Sequence, residues 1–206
     1  MPISVDAYTV GGVASGVPSR PGHLREMLEQ DGQLTLQHVQ WRPLDGKPQP
    51  AGDVTIASDD ILMATTDEDT SIPVHAQWHA IRLELGPYVV EGEMPTMPGF
   101  DPGRALTRPT GEFVLLRDVR LGRRSAVEAA PADRPIGHHA LINRYVVEAV
   151  SADLMLGFFF PGAEMISSEP DTPTPVSQPT PVSPPAPASP PTPASPPTPA
   201  IGEATG

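Results

Sequence analysis

Four histidines have the residue type and spacing that metal sites use. His75 and His79 lie in a His-Ala-Gln-Trp-His segment, and on a helix this spacing would place both imidazoles on one face. The residues that follow alternate in polarity and predict a strand, where residues four apart are separated by roughly 13 Å. His138 and His139 are adjacent, so in a strand they would point to opposite faces. A metal-dependent enzyme is therefore the least favoured hypothesis, and we predict a protein that is not an enzyme and needs no metal or cofactor.

Other residues with catalytic or ligating chemistry lack the required arrangement. Asp59-Asp60 and Asp67-Glu68-Asp69 do not have the Asp-x-Asp-x-Asp-Gly spacing of a calcium loop. Gly11-Gly12 leads into a Val-Pro-Ser-Arg-Pro segment, which cannot open a helix over a phosphate. Cysteine is absent, which excludes thiolate chemistry and zinc-thiolate sites.

A run of aromatic residues near the end of the folding part predicts an interface. If Leu154–Phe160 is a strand, Phe158 and Phe160 share one face and Phe159 takes the other. An uncovered phenylalanine is costly, so we expect a contact with the rest of the chain, a second copy or a partner. Trp78 is a further candidate for this interface.

The elements that would carry these residues form a sequence repeat. The segment that begins at Tyr8 recurs about eighty residues later at Tyr88, which predicts two similar lobes over residues 1–86 and 87–166. The best-aligned pairs are Tyr8/Tyr88, Leu36/Leu115, Val39/Val119 and Ile61/Val146.

Local patterns predict an all-β protein. Alternating or β-rich runs start at Ile3, Leu34, Val54 and Val74 and recur in the second lobe. A bulge is expected near His38, where the alternation changes face. The strongest helix signal covers residues 21–30. We expect two small β-barrel-like lobes of the Sm-like or SH3-like kind; a single two-sheet β-sandwich is the alternative.

Residues 167–206 form a tail of different composition. The tail is rich in Pro, Ser, Thr and Ala, and it repeats Ser-Pro-Pro-Thr-Pro-Ala at Ser189–Ala194 and Ser195–Ala200. It has too little apolar surface to offset its ordering entropy, so we predict a disordered tail that favours polyproline II. It would serve as an inert spacer or as a ligand for a domain that binds proline-rich motifs.

The charge restricts the partners. The formal net charge is −12, and an acidic surface disfavours binding to nucleic acid and to anionic membranes. No apolar run has the length of a spanning helix, and no classical signal peptide is recognised. We therefore expect a cytoplasmic protein with a protein partner or a homo-oligomeric state.

One resemblance adds a hint about the fold. The Tyr-x-Val-x-Gly start, the Pro-Gly turn, and Phe113, Leu116, Val119 and Ala140–Asn143 resemble a family of small bacterial β-rich domains, mainly over residues 88–149. The first lobe departs from the pattern, with Leu34 in place of the phenylalanine. The family has no established activity, so the resemblance implies a fold and no catalytic residue.

Three functions remain open. The leading hypothesis is a non-catalytic interaction or assembly module in which the tail is a spacer or a ligand. The alternative is a small-molecule-binding or sensory domain with its site between the lobes. A metal-dependent enzyme through His75, His79, His138 and His139 is the third.

Overall fold

The computed structural model describes residues 3–66, 75–96, 111–124, 134–152 and 159–166. All of these fall within one compact unit, Met1–Glu169. The predictions for the tail, Phe158, Asp67-Glu68-Asp69 and the Pro102-Gly103 turn lie outside the described residues. The strands are β1 (Val5–Thr9), β2 (Gly12–Pro18), β3 (Gln33–Pro43), β4 (Gln49–Ala57), β5 (Met63–Thr66), β6 (Gln77–Leu85), β7 (Tyr88–Thr96), β8 (Phe113–Arg123), β9 (Arg134–Asn143), β10 (Ala149–Ala152) and β11 (Glu164–Ile166).

The strands of the described residues form one sheet that is not closed, so neither the two β-barrel-like lobes nor the two-sheet sandwich expected from the sequence is confirmed. This 11-stranded sheet has the order β11-β10-β6-β7-β8-β9-β5-β1-β2-β3-β4. It contains a first strand run, β5-β1-β2-β3-β4, and a second strand run, β10-β6-β7-β8-β9. The two runs meet where β9 pairs antiparallel with β5, and β11 covers the far edge of β10. The all-β prediction is confirmed for the described residues.

One helix interrupts the strands. The helix α1 (Leu24–Asp31) buries Leu24, Met27 and Leu28 against the sheet, which is the spacing that predicted it. It ends at Gly32, whose φ of 64° lies in the left-handed region, where glycine has no steric penalty. A short 3-10 turn, Ser58–Asp60, connects β4 to β5.

Both runs contain the same bulge. His38 and Asp118 have φ values of 54° and 52°, and the pairing register shifts beside each of them. A methyl group on Gly16 would lie 2.8 Å from the carbonyl oxygen of Gln37, and one on Gly92 would lie 2.9 Å from that of Arg117. The bulge predicted near His38 is confirmed, and a glycine is required opposite each bulge because the backbones approach too closely for a side chain.

Backbone hydrogen bonds correspond in the same way. Leu62 N donates to Tyr8 O at 2.9 Å, and Glu148 N donates to Glu84 O at 2.8 Å. Both acceptors lie on the first strand of their run, whereas Tyr88 begins the second strand of its run. The pairing of Tyr8 with Tyr88 across a repeat stays a prediction.

One further aligned pair is shifted relative to the bulge and one is not. Val39 and Val119 both follow their bulge residue directly, as aligned. Leu36 lies two residues before its bulge, and the residue at that place in the second run is Leu116, not Leu115. The predicted lobe boundary at residue 86 falls in the turn between β6 and β7, which pair along their full length.

The apolar side chains form two cores, one for each run. The first contains α1 together with Val5, Ala7, Leu34, Leu36, Val39 and Ile61. The second contains Ile81, Leu83, Leu85, Val90, Leu116, Val119, Val150 and Phe160.

The strands at the junction of the runs contribute to both cores. Phe113, Leu115 and Leu141 of the second run pack in the first core, whereas Leu62 and Met63 of the first run pack in the second. These strands are buried on both faces, which explains why they read as continuous apolar stretches and not as alternating ones.

Candidate ligand-binding site

A pocket of about 450 Å³ opens where the two runs meet. On the first run, Tyr8 lies opposite Val13 and Val13 lies opposite Arg42, so the three side chains share one face of the sheet. On the second run, Tyr88 lies opposite Arg123. These two rows form the walls of the junction pocket. The apolar lining is completed by Pro43, Leu44, Pro48 and Leu121.

Tyr8 and Tyr88 hold the floor of the pocket together. Their ring centroids are 5.7 Å apart, with the ring planes at 85°, an edge-to-face geometry that stabilises aromatic pairs. Both residues are buried. The two tyrosines that align in the sequence are therefore contact partners in the structure.

The Tyr88 hydroxyl is an exception among the buried polar groups. It is buried and makes no hydrogen bond with any described residue, a condition that costs stability because the lost contact with water is not replaced. Desolvation, followed by the influence of Tyr8, raises the pKa of Tyr88 to about 12, while Arg123 and Arg42 act in the opposite direction. The phenol therefore stays protonated and can donate a hydrogen bond at neutral pH.

Arg42 forms one wall of the pocket and is held in place by hydrogen bonds to neighbouring side chains. Its Nη2 donates to Asp6 Oδ2 at 3.3 Å and to Ser15 Oγ at 3.1 Å. These are its contacts within the described part of the chain, so Nε and Nη1 keep their donors for another partner. The side chain is about one-third exposed, at 34%.

Arg123 forms the opposite wall and is more open. Its Nη1 donates to Asp45 Oδ1 at 3.3 Å and its Nη2 donates to the Leu44 carbonyl. Both acceptors belong to the loop between β3 and β4, so Arg123 attaches this loop of the first run to β8 of the second. Gly12, beside this region, has a φ of 150° and lies against the Arg42 carbonyl, so only glycine lets β2 and β3 approach this closely.

The histidines that the sequence singled out lie apart from this pocket. His79 contacts Thr96 Oγ1 at 2.8 Å on β6 and β7, His75 and His138 are exposed, and His139 is half-buried on β9. Over the described ranges, no three His, Cys, Asp or Glu side chains come together as a metal site would require.

The aromatic candidates within the described residues contact other parts of the chain. Trp78 lies under Arg117, whose guanidinium carbon is 3.9 Å from the ring centroid. Phe160 is fully buried in the second core and Phe159 is half-buried against it. The strand predicted over Leu154–Phe160 is wrong at its end, because Phe159 and Phe160 lie in a turn, and its first five residues lie outside the described residues.

Sequence reasoning missed both arginines of the pocket. Arg42 follows a predicted strand and Arg123 begins a predicted loop, so both have the sequence pattern of solvated residues beyond a strand. Arg42 shares a sheet face with Tyr8, and Arg123 lies opposite Tyr88. This relation could have identified the arginines, but it requires the pairing register of each strand.

Comparisons of the chain with models of protein families, with curated proteins and with solved structures found no match. Within the described ranges, no helix has the length and apolar character to cross a membrane. The function is therefore argued from the geometry of the pocket.

Proposed function

We propose that the protein is a non-catalytic binding module made of two copies of one five-stranded β unit, with a small-molecule site in the junction pocket. The copies comprise β1–β5 and β6–β10, and each curls around its own core in the manner of a small, incompletely closed barrel. The repeated strand order, the paired bulges and the paired hydrogen bonds support this division. The alignment of the two sequence segments supports the same division, although some of its residue pairs are shifted relative to the strand positions.

The observation that carries the binding function is the Tyr88 hydroxyl. Native proteins rarely leave a buried hydroxyl without a partner, and when they do the group calls for an explanation. Here Tyr88 itself lines a pocket whose volume is in the usual range for ligand sites. A ligand with an acceptor atom would supply the missing partner.

The chemistry of the walls favours binding over catalysis. Arginine stays charged at all ordinary pH values, and the raised pKa of Tyr88 keeps its phenol protonated. Neither group can exchange a proton readily near neutral pH, as a general acid or base must. The described wall residues therefore support recognition of a molecule and not its conversion.

NMR titration tests whether the pocket binds a ligand. We expect 2-naphthoate and 2-naphthamide to shift amide signals of Tyr8, Tyr88 and Arg123 in the labelled protein. Leu44→Trp should fill the pocket and abolish these shifts. The matched control is Val10→Trp, at a position that is 65% exposed, and it should bind as the unchanged protein does. Shifts scattered over the surface, or equal shifts in both variants, would reject the site.

The tail supports a second candidate function. Two adjacent Ser-Pro-Pro-Thr-Pro-Ala copies favour an interaction module whose tail, disordered when free, docks in the aromatic groove of a cytoplasmic protein partner. A peptide of residues 189–200 should bind a WW or SH3 domain more tightly than a peptide of residues 195–200, because two sites raise the effective concentration. Absence of binding to either class would leave the tail as a spacer.

A further inference from the structure

The polar side chains of the junction pocket are all able to donate hydrogen bonds. Arg42 and Arg123 have no acceptor atoms, and a protonated Tyr88 offers its hydroxyl hydrogen. The two aspartates near the site are already used, Asp6 by Arg42 and Asp45 by Arg123. A ligand that matches this wall must bring acceptor oxygens.

The charge balance limits how many negative charges the ligand brings. Each arginine is already paired with one carboxylate, so the two pairs are neutral as a group. Lys47, the only lysine of the chain, is exposed and lies in the sequence between the pocket residues Gly46 and Pro48, so it adds one positive charge to the same loop. The pocket therefore complements a single negative charge, and it is less suited to a doubly charged phosphate.

The rest of the wall is apolar. Val13, Leu121 and Leu44 are half-buried side chains that pack against the second core, and Pro43 and Pro48 extend this surface towards the opening. Apolar lining with a few polar groups is typical of sites that hold the body of a small molecule and orient its head group.

We infer, on the basis of the proposed function, that the junction pocket binds a small monocarboxylate with an apolar body. The carboxylate lies between the Arg42 and Arg123 guanidinium groups, where planar N–H pairs match its two oxygens. The apolar body contacts Val13, Leu44 and Leu121.

Tyr88 completes the site through a small movement. Its hydroxyl is buried beneath the wall, so a carboxylate oxygen reaches it only after the ring or a neighbouring side chain shifts. The bond formed then satisfies a group that is otherwise without a partner, which ties ligand binding to the packing of the Tyr8–Tyr88 pair.

Three compounds with one common body test the assignment by calorimetry on the full chain. We expect 2-naphthoate to bind about tenfold more tightly than neutral 2-naphthamide, as charge-assisted hydrogen bonds predict, and 2-naphthyl phosphate to bind no more tightly than 2-naphthoate. Arg123→Gln should remove the preference for the carboxylate. Arg20→Gln is the control, because Arg20 pairs with Asp31 outside the pocket. Tyr88→Phe should weaken 2-naphthoate more than 2-naphthamide.

The outcomes separate the two proposals. If 2-naphthamide binds as tightly as 2-naphthoate and both are lost in Leu44→Trp, the pocket is a ligand site but the carboxylate assignment is wrong. Tighter binding of 2-naphthyl phosphate, lost in Arg123→Gln, would replace the monocarboxylate by a phosphate. If none of the three binds, both proposals are overturned.

Discussion

The two strand runs differ in the side chains on their first strands. In the first run, Tyr8 and Arg42 border the open junction pocket. In the second run, the first strand carries Glu84, whose carboxylate is 3.2 Å from Arg124 Nε.

Glu148 completes this closed end of the second run. It accepts from Arg124 Nη1 and from Gly86 N, and the hydrogen bond that Arg124 donates to Glu148 raises the pKa of Arg124. The end at the junction pocket thus keeps hydrogen-bond donors of Arg42 available, whereas Arg124 at the other end donates to Glu84 and Glu148. This difference shows that the backbone alone does not form a binding pocket. The side chains at the end of each run decide whether hydrogen-bond donors remain available to a ligand.

The comparison requires that the two backbones are equivalent, and the bulge glycines test this most severely. Gly16→Ala and Gly92→Ala should each lower the free energy of unfolding by about 2–3 kcal/mol, because a methyl group would collide with a carbonyl oxygen in both. Denaturant unfolding measures both values. Gly11→Ala is the control, since its methyl group would make only ordinary contacts, the nearest of them with the Trp41 ring at 3.6 Å. A large loss at one glycine and none at the other would contradict the equivalence.

The open end should also be sensitive to alkali. Tyrosine has a pKa of about 10 in the unfolded chain, and burial raises that of Tyr88 to about 12. The folded protein therefore holds this proton more tightly, so stability is unchanged below pH 10 and falls by roughly 2 kcal/mol as the pH rises towards 12. Tyr88→Phe should lack this part of the loss.

A matched variant checks the assignment to Tyr88. Tyr145 is 58% exposed, so Tyr145→Phe should unfold in alkali as the unchanged protein does. If Tyr88→Phe and Tyr145→Phe lose the same amount of unfolding free energy between pH 10 and 12, the buried hydroxyl is not the cause of the alkaline loss.

Local signals in the sequence were enough for much of the fold and too weak for the site. Alternation predicted the strands, and the change of face beside His38 predicted the bulge. The junction of β9 with β5 could not be read, because it joins distant segments whose two-sided burial removes the alternation. The alignment of Tyr8 with Tyr88 followed residue type, whereas equivalence is set by pairing register. The pocket depends on that register on both runs, so its arginines were missed.

The closed end should contribute little to stability. Arg124 is 40% exposed and Glu148 is 52% exposed, and exposed ion pairs contribute less than about 1 kcal/mol. Arg124→Gln should lower the free energy of unfolding by less than this amount, and the loss should shrink further in high salt. Arg25→Gln, which weakens an exposed pair with Glu29 on α1, is the control for removal of one surface charge. A loss of several kcal/mol, unchanged by salt, would mean that the closed end is part of the core.

The smallest effect on stability is expected from deletion of the C-terminal tail, residues 167–206. Deletion of residues 167–206 removes no large apolar anchor, since Ile201 is the only large aliphatic residue after Val182. The thermal midpoint should therefore change by less than about one degree. Deletion from Ala163 onward is the matched comparison, because it also removes β11, whose Met165 packs against the second core and whose strand covers the edge of β10. That longer deletion should lower the midpoint. If the shorter deletion lowers it equally, the tail contributes to the fold and is more than a spacer or a ligand.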